Sequence, residues 1–395
     1  MTSKTFSSIA GLFALSMISV SATGTAIADE PKLADLVKLI EKQQQQINAL
    51  RTQLEATSGK AEQAATAAEQ AAAKPSFLDT VQIGGVAEVE MTNSTDFNKA
   101  NTSDIALGTV EFFIDTRPHE YLSTHVQFLY EDDGDENITL DEAFATLGNT
   151  EKFPLYLQAG KWAVPFGGFD TAMSSDPLTQ DLGETREAAI LVGLAHDGLV
   201  LEGYFYNGDT QKAGEGNQID QFGAQLAYGG ESGGFAYNGA IGYINNMADS
   251  NGLTSGLDTN ATAISKYISG LDLHGDVSFS GVTLRGGYMK ALKSFQAGEL
   301  AFNGQGAQPA AWNVEASYTM PILDHETTFA ATVQGTKEAL ALGLPETRYG
   351  GAITVGIVEH FSITGEYLHD KDYSVAKGGT GNSGHTATLK IAAEY

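Results

Sequence analysis

From about Thr80 to its last residue the chain alternates apolar and polar positions with period two, the pattern of strands with one apolar face. "TVQIGGVAEVEM" sets Val81, Ile83, Ala87, Val89 and Met91 against Gln82, Glu88 and Glu90. "AWNVEASYTM" puts Trp312, Val314, Ala316, Tyr318 and Met320 on one face and Asn313, Glu315, Ser317 and Thr319 on the other. The final "HTATLKIAAEY" opposes Ala387, Leu389, Ile391, Ala393 and Tyr395 to Thr386, Thr388, Lys390 and Glu394. Counting such segments gives roughly sixteen, an even number that suits an outer-membrane barrel.

The connections alternate in length. Short ones include "RPHEY", "GNTEKFP", "AHDG", "GGESGG", "FSG", "PILDHE" and "VEHF". Long ones lie near Thr92–Ser103, Pro165–Glu187, Asn246–Asn260, Lys293–Pro309 and Asp372–Ser383. Short periplasmic turns and long extracellular loops are the rule in bacterial barrels. The expected fold is therefore an all-β transmembrane barrel of about 16 antiparallel strands over residues 76–395, preceded by an α-helical coiled coil. The strand ending at Tyr395 should pair with the one starting near Thr80, and Tyr395 should sit at the membrane interface. A terminal aromatic on an alternating strand also resembles the signal read by the outer-membrane assembly machinery.

Upstream the period changes. Leu33, Leu36, Ile40, Gln43, Ile47, Leu50, Leu54, Thr57, Ala61, Ala64, Ala68 and Ala71 recur at steps of three and four. Such a seam predicts a coiled coil within 29–75 that needs partner copies, with a homotrimer as the natural count for a barrel. Pro75 ends it. Further upstream, Lys4, the apolar "IAGLFALSMISV" and "AIA" before Asp29 read as a signal peptide over 1–28. The expected location is the outer membrane of a Gram-negative bacterium, with the coil in the periplasm.

Composition narrows the chemistry. The net charge is −27 and there is no cysteine, which removes disulfides and thiolate metal sites. So acidic a chain is a poor ligand for nucleic acid, whose phosphates require Lys and Arg. The inward parity collects Glu88, Glu90, Glu111, Asp115, Glu142, Glu202, Asp272, Asp276, Glu315, Glu366 and Glu394 against Arg285, Arg348 and Lys390. Acidic rings favour cations. The third outer connection, "VPFGGFDTAMSSDPLTQDLGETREAAI", is long enough to be functional. Folded inward, it would offer Asp170, Asp176, Asp181 and Glu184 to a solute, with Phe166 and Phe169 within it and Lys161 and Trp162 at its root.

Other motifs fail in context. "GESGG" at 230–234 has the nucleophile-elbow spacing but joins two strands, and "GTGNSG" at 379–384 precedes a strand rather than a helix. "EDDGDEN" at 131–137 lacks full ligand spacing for a divalent ion and reads as a solvated acidic loop. No enzymatic residue set and no cofactor are expected.

A leader, a Gln/Ala-rich coil and a barrel containing "GKWAVPFG" and "DPLTQDLGETRE" resemble the LbtU-type siderophore porins. That resemblance covers nearly the whole mature chain and implies iron uptake, as a ferric siderophore or as ferrous iron, through a plug-less water-filled barrel. The acidic lumen pulls against it, because carboxylate siderophores are anionic. A general cation-preferring diffusion porin is the alternative; a phosphate-type porin is less suited, for want of basic residues. A structural outer-membrane protein, a barrel enzyme and a soluble β-sandwich are the remaining classes.

Overall fold

The computed structural model describes residues 80–132, 137–257 and 263–395, and helical residues within 37–60. The expected signal peptide and much of the expected coil lie outside the described residues, as do 133–136 of the acidic "EDDGDEN" loop. The chain divides into two units, Met1–Lys74 and Pro75–Tyr395.

The second unit is a closed barrel of sixteen antiparallel strands, each pairing with its neighbour in sequence. In chain order these are β1 (Val81–Thr95), β2 (Asn101–His119), β3 (Leu122–Glu131), β4 (Thr139–Gly148), β5 (Leu155–Ala163), β6 (Arg186–His196), β7 (Leu199–Tyr206) and β8 (Gln221–Ser232). They continue as β9 (Phe235–Ile244), β10 (Gly270–Phe279), β11 (Val282–Ala291), β12 (Ala310–Ile322), β13 (His325–Lys337), β14 (Thr347–Val358), β15 (Phe361–Lys371) and β16 (Ser383–Glu394). β16 closes on β1 through Val86↔Glu394 to Thr95↔His385. Closure gives every strand a neighbour on both sides, the condition for a sheet in hydrocarbon. Among the described residues no helix is long and apolar enough to cross a membrane.

The outer face is apolar and uncovered: Val314 and Leu273 are each 57 % exposed. Two aromatic belts frame it. Phe205, Phe222, Tyr288, Trp312, Tyr349 and Tyr367 lie near the long-loop end, and Tyr228, Phe235, Phe279 and Tyr318 near the short-turn end. An apolar band between aromatic belts is the outside of a membrane barrel.

The expected first long loop is shorter than its sequence suggests. Thr92–Thr95 and Asn101–Ser103 continue the β1–β2 ladder, leaving only 96–100 as the connection. Polar residues there sit on strands that run past the apolar band, so alternation fades before pairing does.

The interior also departs from an open water-filled cylinder. Three long loops, 164–185, the described residues 245–257 and 263–269 of the second, and 292–309, fold into the lumen and share an apolar core. Phe166 and Leu182 from the first meet Ile244 and Met289 of the wall, Met247, Leu253 and Ile264 of the second, and Phe295 and Leu300 of the third. These loops carry apolar side chains of their own, and burying one is worth roughly 1.5–3 kcal/mol against leaving it in water. The short helices α1 (Leu178–Gly183) and α2 (Asn251–Gly256) pack together here. Ser250 Oγ donates to the Leu182 carbonyl at 2.8 Å, and the Asn251 amide donates to that of Glu184 at 2.9 Å. The core packs against wall residues of β5–β7, β9, β11 and β12, and the open space is lined by residues of β1–β6 and β16.

Candidate functional site

The third loop leaves β5 at Val164 and returns at Thr185, crossing the lumen. Its backbone amides are caught by side chains of the far wall. The Gly167 amide donates to Asp272 Oδ1 at 3.2 Å on β10. The Ala172 amide donates to Glu315 Oε1 at 2.8 Å on β12, which also accepts from the Thr171 hydroxyl. Those of Ser174 and Ser175 donate to Glu366 Oε2 at 2.6 and 3.1 Å on β15, and Ser175 Oγ adds a further bond to Glu366. The Leu178 amide donates to Gln334 Oε1 at 2.7 Å on β13. A carboxylate taking amide donors is a strong, charge-assisted arrangement.

Asp272, Glu315 and Glu366, read from sequence as lumen charges, are therefore buried loop anchors. Strand parity locates a side chain on the inner face, but it cannot tell whether another segment will cover it. Glu315 is also paired with Arg285 at 3.0 Å. Arg348 is bonded to Asp370 through Nε at 2.9 Å, and Glu202 accepts from the Tyr156 hydroxyl. Trp162 and Phe166 belong to the apolar core rather than to any solute-facing surface, at 6 and 1 % exposure, and Phe169 packs against it. Asp170, Asp276 and Arg285 line a small pocket with His274. Asp115 sits in a separate cavity of about 500 Å³ with Arg117, His125 and Phe144, where His125 Nδ1 lies 2.8 Å from its carboxylate.

What remains open beside the loop is a cavity of about 1090 Å³. From the sequence-derived set it brings together Glu88, Glu90, Glu111, Glu142, Glu394, Asp176, Glu184, Lys161 and Lys390. It adds Glu131, Asp141, Glu187, Asp209, Arg186, Gln180, Ser174 and Ser175, which period-two reading did not select. Asp141 escapes because β4 slips register between Gln127↔Glu142 and Phe128↔Leu140, so two consecutive residues face the same space. Arg186 and Glu187 sit where the loop rejoins β6, and Asp209 comes from the 207–220 connection.

The lining thus holds eleven acids (Glu88, Glu90, Glu111, Glu131, Asp141, Glu142, Asp176, Glu184, Glu187, Asp209, Glu394) and three bases (Lys161, Arg186, Lys390). Two of the bases are engaged by several of those acids. Arg186 holds Asp141, Glu142 at 3.0 Å and Glu184 at 2.8 Å. Lys390 pairs with Glu88 at 3.1 Å. Burial raises the pKa of Asp176 above the ordinary aspartate range, helped by Glu184 and opposed by Lys390. Burial pushes Asp181, on α1 behind the cavity, up to about 6 against the pull of Arg348. Asp249 is also pushed up to about 6 by burial, against the Thr210 amide that donates to it. Among the described residues no three His, Asp or Glu side chains are placed to hold a metal ion. The cavity presents a diffuse negative field.

No protein-family model matches the chain. It is 30 % identical over 361 residues to a UPF0422 protein of Legionella pneumophila, covering 80 % of this chain and 67 % of that one. A UPF0422 protein of Coxiella burnetii is 29 % identical over 305 residues, 75 % of this chain and 65 % of its own. The chain thus spans about two thirds of the length of these curated relatives. Among solved structures it is similar to Pseudomonas putida OprB (TM-score 0.57, 10 % identity, 81 % of this chain and 95 % of that one). It is also similar to an anion-selective porin from Comamonas acidovorans (0.55, 13 %, 80 % and 99 %) and to the outer-membrane channel DcaP of Acinetobacter baumannii (0.53, 12 %, 79 % and 96 %). At these identities the likeness establishes a porin-like channel fold.

Proposed function

The chain belongs to the UPF0422 protein family, and we propose that it forms a cation-preferring diffusion channel across the outer membrane. One observation carries the reading: eleven carboxylates face three bases around the open cavity, and those carboxylates engage two of the bases. The fold does not set the sign, since it is shared with a porin whose name marks it as anion-selective. The lining sets it. Low-dielectric walls focus the field of like charges and raise the local concentration of the opposite ion by roughly 10–10³. Phosphate and other anions meet the opposite effect. The test is liposome swelling with paired solutes of one size: cationic ones enter faster than anionic ones, and equal rates refute the reading.

Iron uptake is the narrower second reading, favoured by the same lining for hydrated Fe²⁺ or a net-cationic complex. An anionic ferric siderophore would be repelled. Growth under iron limitation, with Fe²⁺ or a defined ferric siderophore as sole source, separates these cargoes. We also read Tyr395 as an assembly signal and the N-terminal coil as a periplasmic trimerisation element, which chemical crosslinking in membranes tests.

A further inference from the structure

The barrel wall is least paired where β5 parts from β4. Their ladder runs from Gly148↔Tyr156 to Ala143↔Lys161 and stops, the shortest of the wall. β3 goes on pairing with β4 as far as Thr139, and β6 with β5 as far as Ala163. One pair before the ladder stops lies Gly160, whose φ of 144° only glycine adopts readily, and where a Cβ would lie 2.1 Å from the Ala143 carbonyl oxygen. Among the described residues, 139–142 therefore have a strand partner on one side only. In hydrocarbon such an edge is costly.

Side chains close it instead. Lys161 Nζ donates to the Leu140 carbonyl at 3.1 Å. Arg186, the first residue of β6, reaches past β5 to Asp141 and Glu142 on β4. Strand alternation roots Lys161 on the outer face, since its register partner Ala143 lies between the inward Phe144 and Glu142. Lys161 nevertheless lines the internal cavity. A side chain rooted outside and ending inside marks a way through the wall. Outside the seam Leu140 and Ile138 are 46 and 75 % exposed; inside it stand carboxylates.

We propose that the β4–β5 seam is a lateral port through which amphiphilic cations, with one positive head and an apolar chain, pass between the acidic cavity and the membrane hydrocarbon. The head replaces Lys161 and Arg186 on the Leu140 carbonyl and the Asp141 and Glu142 carboxylates. The two displaced side chains stay in the cavity and turn to its other carboxylates, whose excess over the bases takes up the added positive charge, while the apolar chain lies along Leu140 and Ile138. No covalent bond changes. The inference rests on the cation-preferring reading above.

The absence of native cysteine makes the test clean. In planar bilayers, block of the K⁺ current is compared for dodecyltrimethylammonium and tetramethylammonium. The expected result is block by the long-chain cation at concentrations at least about tenfold lower, because its tail reaches the seam from the bilayer. Bridging L140C/A163C with a short bis-maleimide should abolish that difference while K⁺ conductance persists. Bridging A145C/A159C, across the paired part of the same ladder, should leave it intact. R186Q should lower the blocking concentration of the long cation further, and it serves where the double variant fails to insert. Equal block by both cations, an undiminished difference after seam bridging, or an unchanged R186Q overturns the port. Loss of K⁺ over Cl⁻ preference in the same bilayers instead removes the reading beneath it, whatever the block shows.

Discussion

Tyr395 and Gly85 exchange both backbone hydrogen bonds, Gly85 N–H to Tyr395 O at 3.0 Å and Tyr395 N–H to Gly85 O at 3.1 Å. The last residue is thereby tied to the first strand at the seam that closes the barrel. The Tyr395 ring lies over Gly85, where a Cβ would sit 2.6 Å from its hydroxyl and 2.7 Å from the Glu111 carbonyl oxygen. The ring can swing away but the carbonyl cannot. Gly85→Ala is expected to cost about 1–3 kcal/mol, as overpacking does. A lower temperature for loss of the compact band on semi-native gels measures it.

Glu366 accepts two amides and a hydroxyl from the third loop, and charged hydrogen bonds contribute roughly 1.5–3 kcal/mol each. Glu366→Ala should free the Ser174–Ser175 segment while Glu315 still holds Thr171 and Ala172. The expected outcome is a larger and noisier single-channel conductance. An unchanged conductance would show that the loop does not bound the pathway.

The sixteen strands and the closing pair were legible because a barrel wall obeys one rule along its whole length: lipid outside, water or loop inside. The interior was less legible. Parity named Glu88, Glu90 and Glu111, which line the cavity, as readily as Glu315 and Glu366, which a loop covers. The covering was partly foreseeable, because Phe166, Leu182, Leu253 and Phe295 are apolar residues on loops too long to leave them in water. Asp141 and Arg186 were not foreseeable, since a register slip and a guanidinium reaching across a strand leave no periodic trace.

Lys390 is the cation that pairs Glu88 across the β1–β16 seam. Lys390→Gln removes one positive charge from the lining and leaves Glu88 unpaired by it. Cation over anion permeability should rise several-fold. Reversal potentials of the two proteins in one salt gradient report it.

Acidification should weaken selectivity while it steadies the packing of the loop around Asp181. Asp181 and Asp249 titrate near pH 6, and Asp176 is raised in the same direction. Cation preference is therefore expected to fall as pH drops from about 7 to 5. The folded pKa of Asp181 exceeds its ordinary value of 3.8, so between that value and about 6 the folded loop binds a proton that the unfolded chain does not. Its packing gains stability as pH falls through about 6 and loses it as pH rises from about 4 to 6. Conductance and selectivity recorded together across this window check both statements, and Asp181→Asn should flatten its share of the change.

The most direct measurement is the zero-current potential of the purified protein in a planar bilayer under a tenfold KCl gradient. An acidic pathway predicts a potential displaced toward the K⁺ equilibrium value at pH 7.5, shrinking as the pH is lowered toward 5. A potential near zero, or one displaced toward the Cl⁻ value, contradicts it.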